Sequence, residues 1–315
     1  MTAARLRGVV PPIVTPFTES GQVDVASLER LADHLVVSGV HGVFVLGSTG
    51  EVAYLADRDR ALVTRTVVAS VAGRVPVLGG AIDFTAARVR DQVASIVEAG
   101  VDGVVVTAPI YALNDTAELE RHFRDIAEAA GKPVYAYDIP ARVRTKLPAD
   151  LLVRLGAEGV LAGVKDSSGD DVGFRRLVAA NRAAGAPLSL LTGHEVVVAG
   201  MLLLGADGVV PGLANVDAAG YVRLWECASA GDWAGAEREQ RRLADLFEIT
   251  AQARGLSPDA AGVGAFKAAM RAQGLIAGAG MAFPVSALSA DAVDRVEAIT
   301  RAAGLPIAVP FEVLQ

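Results

Sequence analysis

A single cysteine, Cys227, leaves this chain no partner for an internal disulfide and no second thiol for a zinc site. Its four histidines, His34, His41, His122 and His194, are scattered, and none forms a ligand pair at helical spacing. No metal is therefore expected, and His41 and His122 read as structural residues. Positive charge is in short supply: 29 Lys and Arg face 36 Asp and Glu, a net charge of -7. That balance excludes the electrostatic footprint of a nucleic-acid or anionic-membrane binder and favours small-molecule partners. The longest apolar stretch, "VVVAGMLLLGA" at 196–206, falls short of the roughly 20 residues that cross a bilayer. The opening "MTAARLRGVVPPIVTPF" lacks the uninterrupted apolar core and cleavage site of a signal peptide, so a cytoplasmic protein is expected.

What the chain has in quantity is short, β-branched apolar runs. They fall at 11–17, 42–47, 75–81, 103–109, 133–140, 160–166, 188–193 and 208–212. Most are continuously hydrophobic, the pattern of strands buried on both faces of a parallel sheet. Between them lie segments of helical period, among them 23–39, 58–73, 85–100 and 116–131, several ending in glycine. The spacing predicts a (β/α)8 TIM barrel in the α/β class. The competing doubly wound open sheet would carry a GxGxxG phosphate fingerprint after its first strand, and "TPFTESGQ" has none. Further helical segments follow the eighth strand. We expect a barrel over residues 1–230, with its active site at the C-terminal strand ends, and a helical appendage over 231–315 packed on it.

In a barrel the C-terminal strand ends face the active site. Lys165 closes the sixth run, Ser48 and Thr49 lie on the glycine-flanked turn "GSTGE" after the second, and Tyr137 sits in the fifth with Arg142 beyond it. Burial of an ammonium disfavours its charge, and a free amine attacks ketones to give a Schiff base, an electron sink for an enamine. A tyrosine with a hydroxyl neighbour can relay the protons this needs, and a Gly-Ser-Thr-Gly turn offers hydroxyls and N–H groups to a carboxylate. On these residues alone a plainer reading stands beside this one: Lys165 snorkels to the rim and pairs with Asp166, above an ordinary tight turn.

The segments "GSTGE", "YDIP", "GVKDSSGD" and "GADGVVPGLANV", in this order and spacing, resemble the dihydrodipicolinate synthase and N-acetylneuraminate lyase family of class I aldolases. The resemblance covers essentially the whole chain. It implies Lys165 as the Schiff-base lysine, Tyr137 as general acid and base, and Ser48 and Thr49 as the grip on a pyruvate carboxylate, with Ser48 also in the proton relay. It implies that the backbone carbonyl of Val210 faces the pyruvate moiety. No cofactor is implied, because the covalent lysine imine with substrate serves instead. A homotetramer, a dimer of dimers, follows from the same resemblance, with Tyr111 of "TAPIYALND" entering a neighbouring subunit's site; interface packing is the alternative for Tyr111. Ile110 stands where synthases carry another tyrosine.

The substrate signals conflict. Arg142 could clamp a second carboxylate, as synthases do for aspartate semialdehyde, but "YDIPARVRTKL" departs from the synthase pattern at Asp138 and in its "RTKL" ending. Arg144 is a second candidate clamp or a solvated loop residue. His194 or Glu195, in "TGHE", could meet sugar hydroxyls, although His194 could equally cap a helix. Gly212 and Leu213 offer no side-chain hydroxyl, which argues against sialic acid. The expected activity is a lyase or aldolase joining or cleaving a keto acid and an aldehyde, with a 2-keto-3-deoxy sugar acid or related anionic keto acid as leading substrate. True dihydrodipicolinate synthase is the runner-up. Dehydration through the same enamine, a noncatalytic keto-acid binding protein and a phosphate-sugar barrel enzyme are the other readings.

Overall fold

In the computed structural model, which describes residues 6–306, eight parallel strands form one sheet: β1 (Gly8–Val9), β2 (Val43–Val45), β3 (Val77–Gly80), β4 (Gly103–Thr107), β5 (Val134–Asp138), β6 (Gly163–Asp166), β7 (Ser189–Thr192) and β8 (Gly208–Val209). Every strand residue is buried, which is why the runs read as continuously apolar. The order β1-β8-β7-β6-β5-β4-β3-β2 brings the first strand beside the last. A parallel bridge between Pro12 and Phe44 then closes the ring, with Ile13 N–H donating to the Phe44 carbonyl at 2.9 Å and Phe44 N–H to that of Pro11 at 2.9 Å. The result is a TIM barrel.

The helices are α1 (Val25–Val37), α2 (Asp57–Val71), α3 (Ala86–Glu98), α4 (Thr116–Ala130), α5 (Pro140–Val143), α6 (Ala149–Ala157), α7 (Asp171–Ala183), α8 (Val198–Leu204), α9 (Ala218–Ser229), α10 (Trp233–Phe247), α11 (Pro258–Ala272) and α12 (Ala290–Ala302). Side-chain caps fix several starts: Asp24 accepts from Ser27 N–H, and Asp115 with Glu118 forms a capping box on α4. Gly131 closes α4 at φ 55°, in the left-handed region that favours glycine. Helices α10 to α12 follow the barrel; α10 packs on α8 and α9, and α11 on α12 and on the turn Gly212–Asn215 after β8. Residues 1–5 and 307–315, at the ends of the two expected units, lie outside the described residues. Among the described residues no helix is long and apolar enough to cross a membrane.

The first strand differs from expectation. The sequence points to 11–17, yet the ladder forms at Gly8–Val9 and continues only as the Pro12 bridge. Prolines 11, 12 and 16 have no N–H to give a ladder. Glycine serves the β1–β8 pair instead: Gly8 and Gly208 are register partners, Gly8 has φ 88°, and a Cβ on Gly208 would run into the Gly8 backbone.

Candidate active site

Strand register sets the centre. Tyr137 on β5 pairs directly with Lys165 on β6, so both side chains leave the sheet on the same side. Both are buried. The Lys165 ammonium lies 3.8 Å from the centroid of the Tyr137 ring and 5.0 Å from that of Phe44, held by the negative faces of the two rings. It does not snorkel to Asp166, whose Oδ1 instead accepts from Ser168 N–H and hydroxyl at 2.9 and 2.8 Å. The Lys165, Ser48 and Ser167 side chains surround the Tyr137 hydroxyl as its hydrogen-bonding neighbours. Burial alone pushes that phenol up, but the neighbouring ammonium and these hydrogen bonds outweigh it and leave it below the ordinary tyrosine value.

The turn bearing Ser48 and Thr49 is tightly folded. Gly50 N–H donates to the Gly47 carbonyl and Glu51 N–H to that of Ser48, each at 3.0 Å, while Thr15 Oγ1 donates to the Gly50 carbonyl at 2.8 Å. Glu51 takes the left-handed conformation at φ 58°, an unfavourable one for a side chain, and the surrounding structure holds it there. Its carboxylate pairs with the fully buried Lys267 of α11 and accepts from Ala282 N–H at 2.9 Å; Lys267 also donates to the Gly280 carbonyl at 2.9 Å. The motif's glutamate thus anchors the turn to the C-terminal helices. "GVGAFKAAMRAQGL" carries no local sign that its lysine is buried.

Glu195, half-buried, accepts from Leu213 N–H at 2.8 Å, with the Gly212 amide beside it. Burial pushes its carboxyl up to about 7, against the pull of these amides and the Lys165 charge. A Cβ on Gly212 would sit 3.0 Å from Glu195 Oε1 and 3.4 Å from Thr49 Oγ1, so the absent side chain lets these two groups approach. Val210 directly follows β8 and is pinned by its N–H to the Thr192 carbonyl at 2.7 Å. His194 faces another way: its Nε2 accepts from Gly169 N–H at 3.2 Å and its Nδ1 lies 3.5 Å from Asp171 at the start of α7.

Arg142 lies on the short helix α5, which Pro140 opens, instead of in an irregular loop. It lines a cavity of about 230 Å³ that also reaches Ser48, Thr107 and Ile110. The departures after Tyr137 have a local cause: the fully buried Asp138 accepts from Leu147 N–H at 3.1 Å and pairs with Lys146. Arg144 is exposed at the C-terminal end of α5. Tyr111 is not brought to the centre by its own chain; it is 87% exposed, at φ 76°. The structure therefore gathers Lys165 and Ser48 around the Tyr137 hydroxyl, sets Thr49 and Glu195 across Gly212, and places Arg142 on the cavity wall. Sequence reasoning missed Ser167 as a partner of Tyr137, although it stands two residues after Lys165. Among the described residues no group of three or more His, Cys, Asp and Glu is placed to hold a metal ion.

Comparison with known proteins places this arrangement. The sequence model described as the dihydrodipicolinate synthetase family matches residues 5–303. An uncharacterized DapA-like lyase of Halobacterium salinarum is 38% identical over 277 residues, covering 87% of this chain and 86% of that protein. The 4-hydroxy-tetrahydrodipicolinate synthase 1 of Streptomyces coelicolor is 34% identical over 266 residues, 84% of each. Among solved structures, YagE, a prophage protein of the dihydrodipicolinic acid synthase family from E. coli K12 in complex with pyruvate, superposes with a TM-score of 0.89. It is 28% identical and covers 96% of this chain and 100% of its own.

Proposed function

Since the chain belongs to the dihydrodipicolinate synthetase family and is a lyase of that family, we propose that it forms a Schiff base between Lys165 and pyruvate, or the pyruvate portion of a longer keto acid. The observation that carries this reading is the buried Lys165 ammonium against Tyr137, whose hydroxyl also bonds Ser48. The amine adds to the ketone carbon, and Tyr137 moves the protons that turn the carbinolamine into imine and water. The protonated imine withdraws electrons from the carbon beside it. In the cleavage direction the C–C bond to the hydroxyl-bearing carbon breaks, its electron pair forms the enamine, and the hydroxyl proton passes to Tyr137 as the aldehyde departs; condensation is the reverse. Ser48 and Thr49 hold the keto-acid carboxylate with the turn's N–H groups, and the Val210 carbonyl faces the bound carbons. No cofactor enters, because the imine supplies the electron sink.

The leading substrate is a 2-keto-3-deoxy sugar acid, with Glu195 meeting its hydroxyls. Condensation of pyruvate with aspartate semialdehyde is the second reading, favoured by Arg142 on the cavity wall and by the synthase name of the Streptomyces relative. A homotetramer in the cytoplasm, with Tyr111 reaching a neighbouring subunit, completes the proposal; the exposure of Tyr111 supports it. The test is incubation with pyruvate and borohydride, followed by intact mass and peptide mapping. Irreversible labelling at Lys165 is the expected result, and no adduct would refute the mechanism.

A further inference from the structure

The guanidinium on the outer wall of the cavity already has a partner. Arg142 Nη1 donates to Asp259 Oδ2 at 3.0 Å, and its Nη2 donates to Asp259 Oδ1. The Tyr54 hydroxyl donates to Asp259 Oδ2 at 3.0 Å. The carboxylate comes from the first turn of α11, Arg142 from α5, and Tyr54 from the 3-10 turn Val52–Tyr54 after β2. All three line the same cavity as Ser48, whose hydroxyl bonds Tyr137. Much of the remaining wall is aliphatic, including Ile82, Ile110 and Ile139. A substrate joined to Lys165 and gripped at Ser48 would extend into this space beyond its keto-acid carbons.

A fork-to-fork pair uses both terminal nitrogens of the guanidinium. The Asp259 side chain is only 18% exposed, against 46% for Arg142, so the acid is the more fixed member. A second substrate carboxylate would have to displace it or settle beside it, against a pair with no net positive charge. A hydroxyl meets no such barrier: it can donate to Asp259 or to the Tyr54 oxygen and accept from a remaining N–H of Arg142.

We infer that Asp259 sets the substrate class: by neutralising Arg142 it makes this cavity select an uncharged, hydroxyl-bearing aldehyde portion over one carrying a second anionic group. The inference rests on the Schiff-base reading and deepens it, since the substrate then bears the single carboxylate gripped by Ser48 and Thr49.

The test uses matched acceptor aldehydes with pyruvate: glyceraldehyde against glyceraldehyde 3-phosphate, and butanal against succinic semialdehyde. In the native protein the neutral member of each pair has the higher kcat/KM. Asp259→Asn raises the anionic-to-neutral ratio by roughly tenfold or more, while Asp259→Glu, which keeps the charge, retains the native ratio. A native protein that prefers the anionic members or turns over neither neutral one, or a ratio unmoved in Asp259→Asn, overturns the inference. If Asp259→Asn does not fold, the native preference decides alone. Borohydride trapping of pyruvate at Lys165, run on the same proteins, separates the two failures. Trapping with the wrong selectivity removes only the role of Asp259; absence of trapping in the native protein removes the Schiff-base reading and this inference with it.

Discussion

Replacing Lys267 by methionine keeps the length of the side chain and removes its charge. Lys267 is fully buried, and its ammonium pairs with Glu51, donates to the Gly280 carbonyl at 2.9 Å and lies 4.4 Å from the centroid of the Phe17 ring. Its pKa is lowered because burial costs more than the Glu51 charge restores. The pair as a whole is therefore a weak source of stability, whereas half of it is worse than none. Lys267→Met leaves the Glu51 carboxylate buried with, among the described residues, only the Ala282 N–H as partner and should cost about 3–5 kcal/mol, a fall in Tm of about 5–8 °C. Adding Glu51→Gln removes the stranded charge; the amide oxygen keeps the Ala282 N–H and the amide nitrogen can donate to Gly280, so the double variant should recover more than half of the loss. Because Glu51 closes the turn that carries Ser48 and Thr49, the single variant should also raise KM for pyruvate. Urea unfolding and pyruvate saturation of the single and double variants test the chain of argument. A loss under about 1 kcal/mol for Lys267→Met, or a double variant no more stable than the single, refutes it.

Tyr137→Phe removes the relay hydroxyl and should lower kcat by about 10²- to 10⁴-fold with a smaller change in KM; a kcat within a few-fold of native counts against its role. Lys165→Met should abolish borohydride trapping, and label found elsewhere in that variant would reassign the nucleophile. The folded state holds the Glu195 proton up to about 7, whereas the unfolded chain releases it near 4.5. This contribution to stability is full below the lower value and is lost as pH rises through about 7, with a slope of up to about 1.4 kcal/mol per pH unit. Urea titrations from pH 5 to 8 should show native stability falling relative to that of Glu195→Gln, and parallel curves would refute the assignment. Tyr111→Phe and dilution to monomers should each lower turnover, and a fully active monomer in sedimentation at assay concentration would remove the cross-subunit role.

The barrel was legible because doubly buried strands leave a continuous apolar trace and because helix ends carry Asp, Ser and Gly in recognisable places. The first strand was misplaced because 11–17 is as buried as the true ladder; hydropathy registers burial, whereas proline's missing N–H decides pairing. Lys165, Tyr137 and Ser48 were legible because each stands at a strand end, where barrel geometry gives position a meaning. The partners that tune them were not. Asp259 lies 117 residues from Arg142, and Glu51 lies 216 from Lys267. Each occupies a helix or turn whose local pattern is complete without the contact. Glu195 was singled out for sugar hydroxyls, but the Leu213 and Gly212 amides that hold it are backbone groups, which no side-chain motif displays.

The seam where the ring closes has a consequence for the order in which this molecule is made. β1 is flanked by β8 on one side and, through the Pro12 bridge, by β2 on the other. Asn215 fastens the same stretch, accepting from Val14 N–H at 3.1 Å and donating to the Pro12 carbonyl at 2.9 Å across about two hundred residues of chain. During synthesis the first strand thus leaves the ribosome with half of its bonding edge unfilled and waits for some two-thirds of the protein before it can complete the ring. Contacts this distant are slow to form because their loop-closure entropy precedes any reward. Lys165, on β6, emerges before β8 and Asn215, so the ring around it is completed only when they arrive. A chain stopped between β7 and β8 would lack the strand that joins β7 to β1 and would leave both without that neighbour.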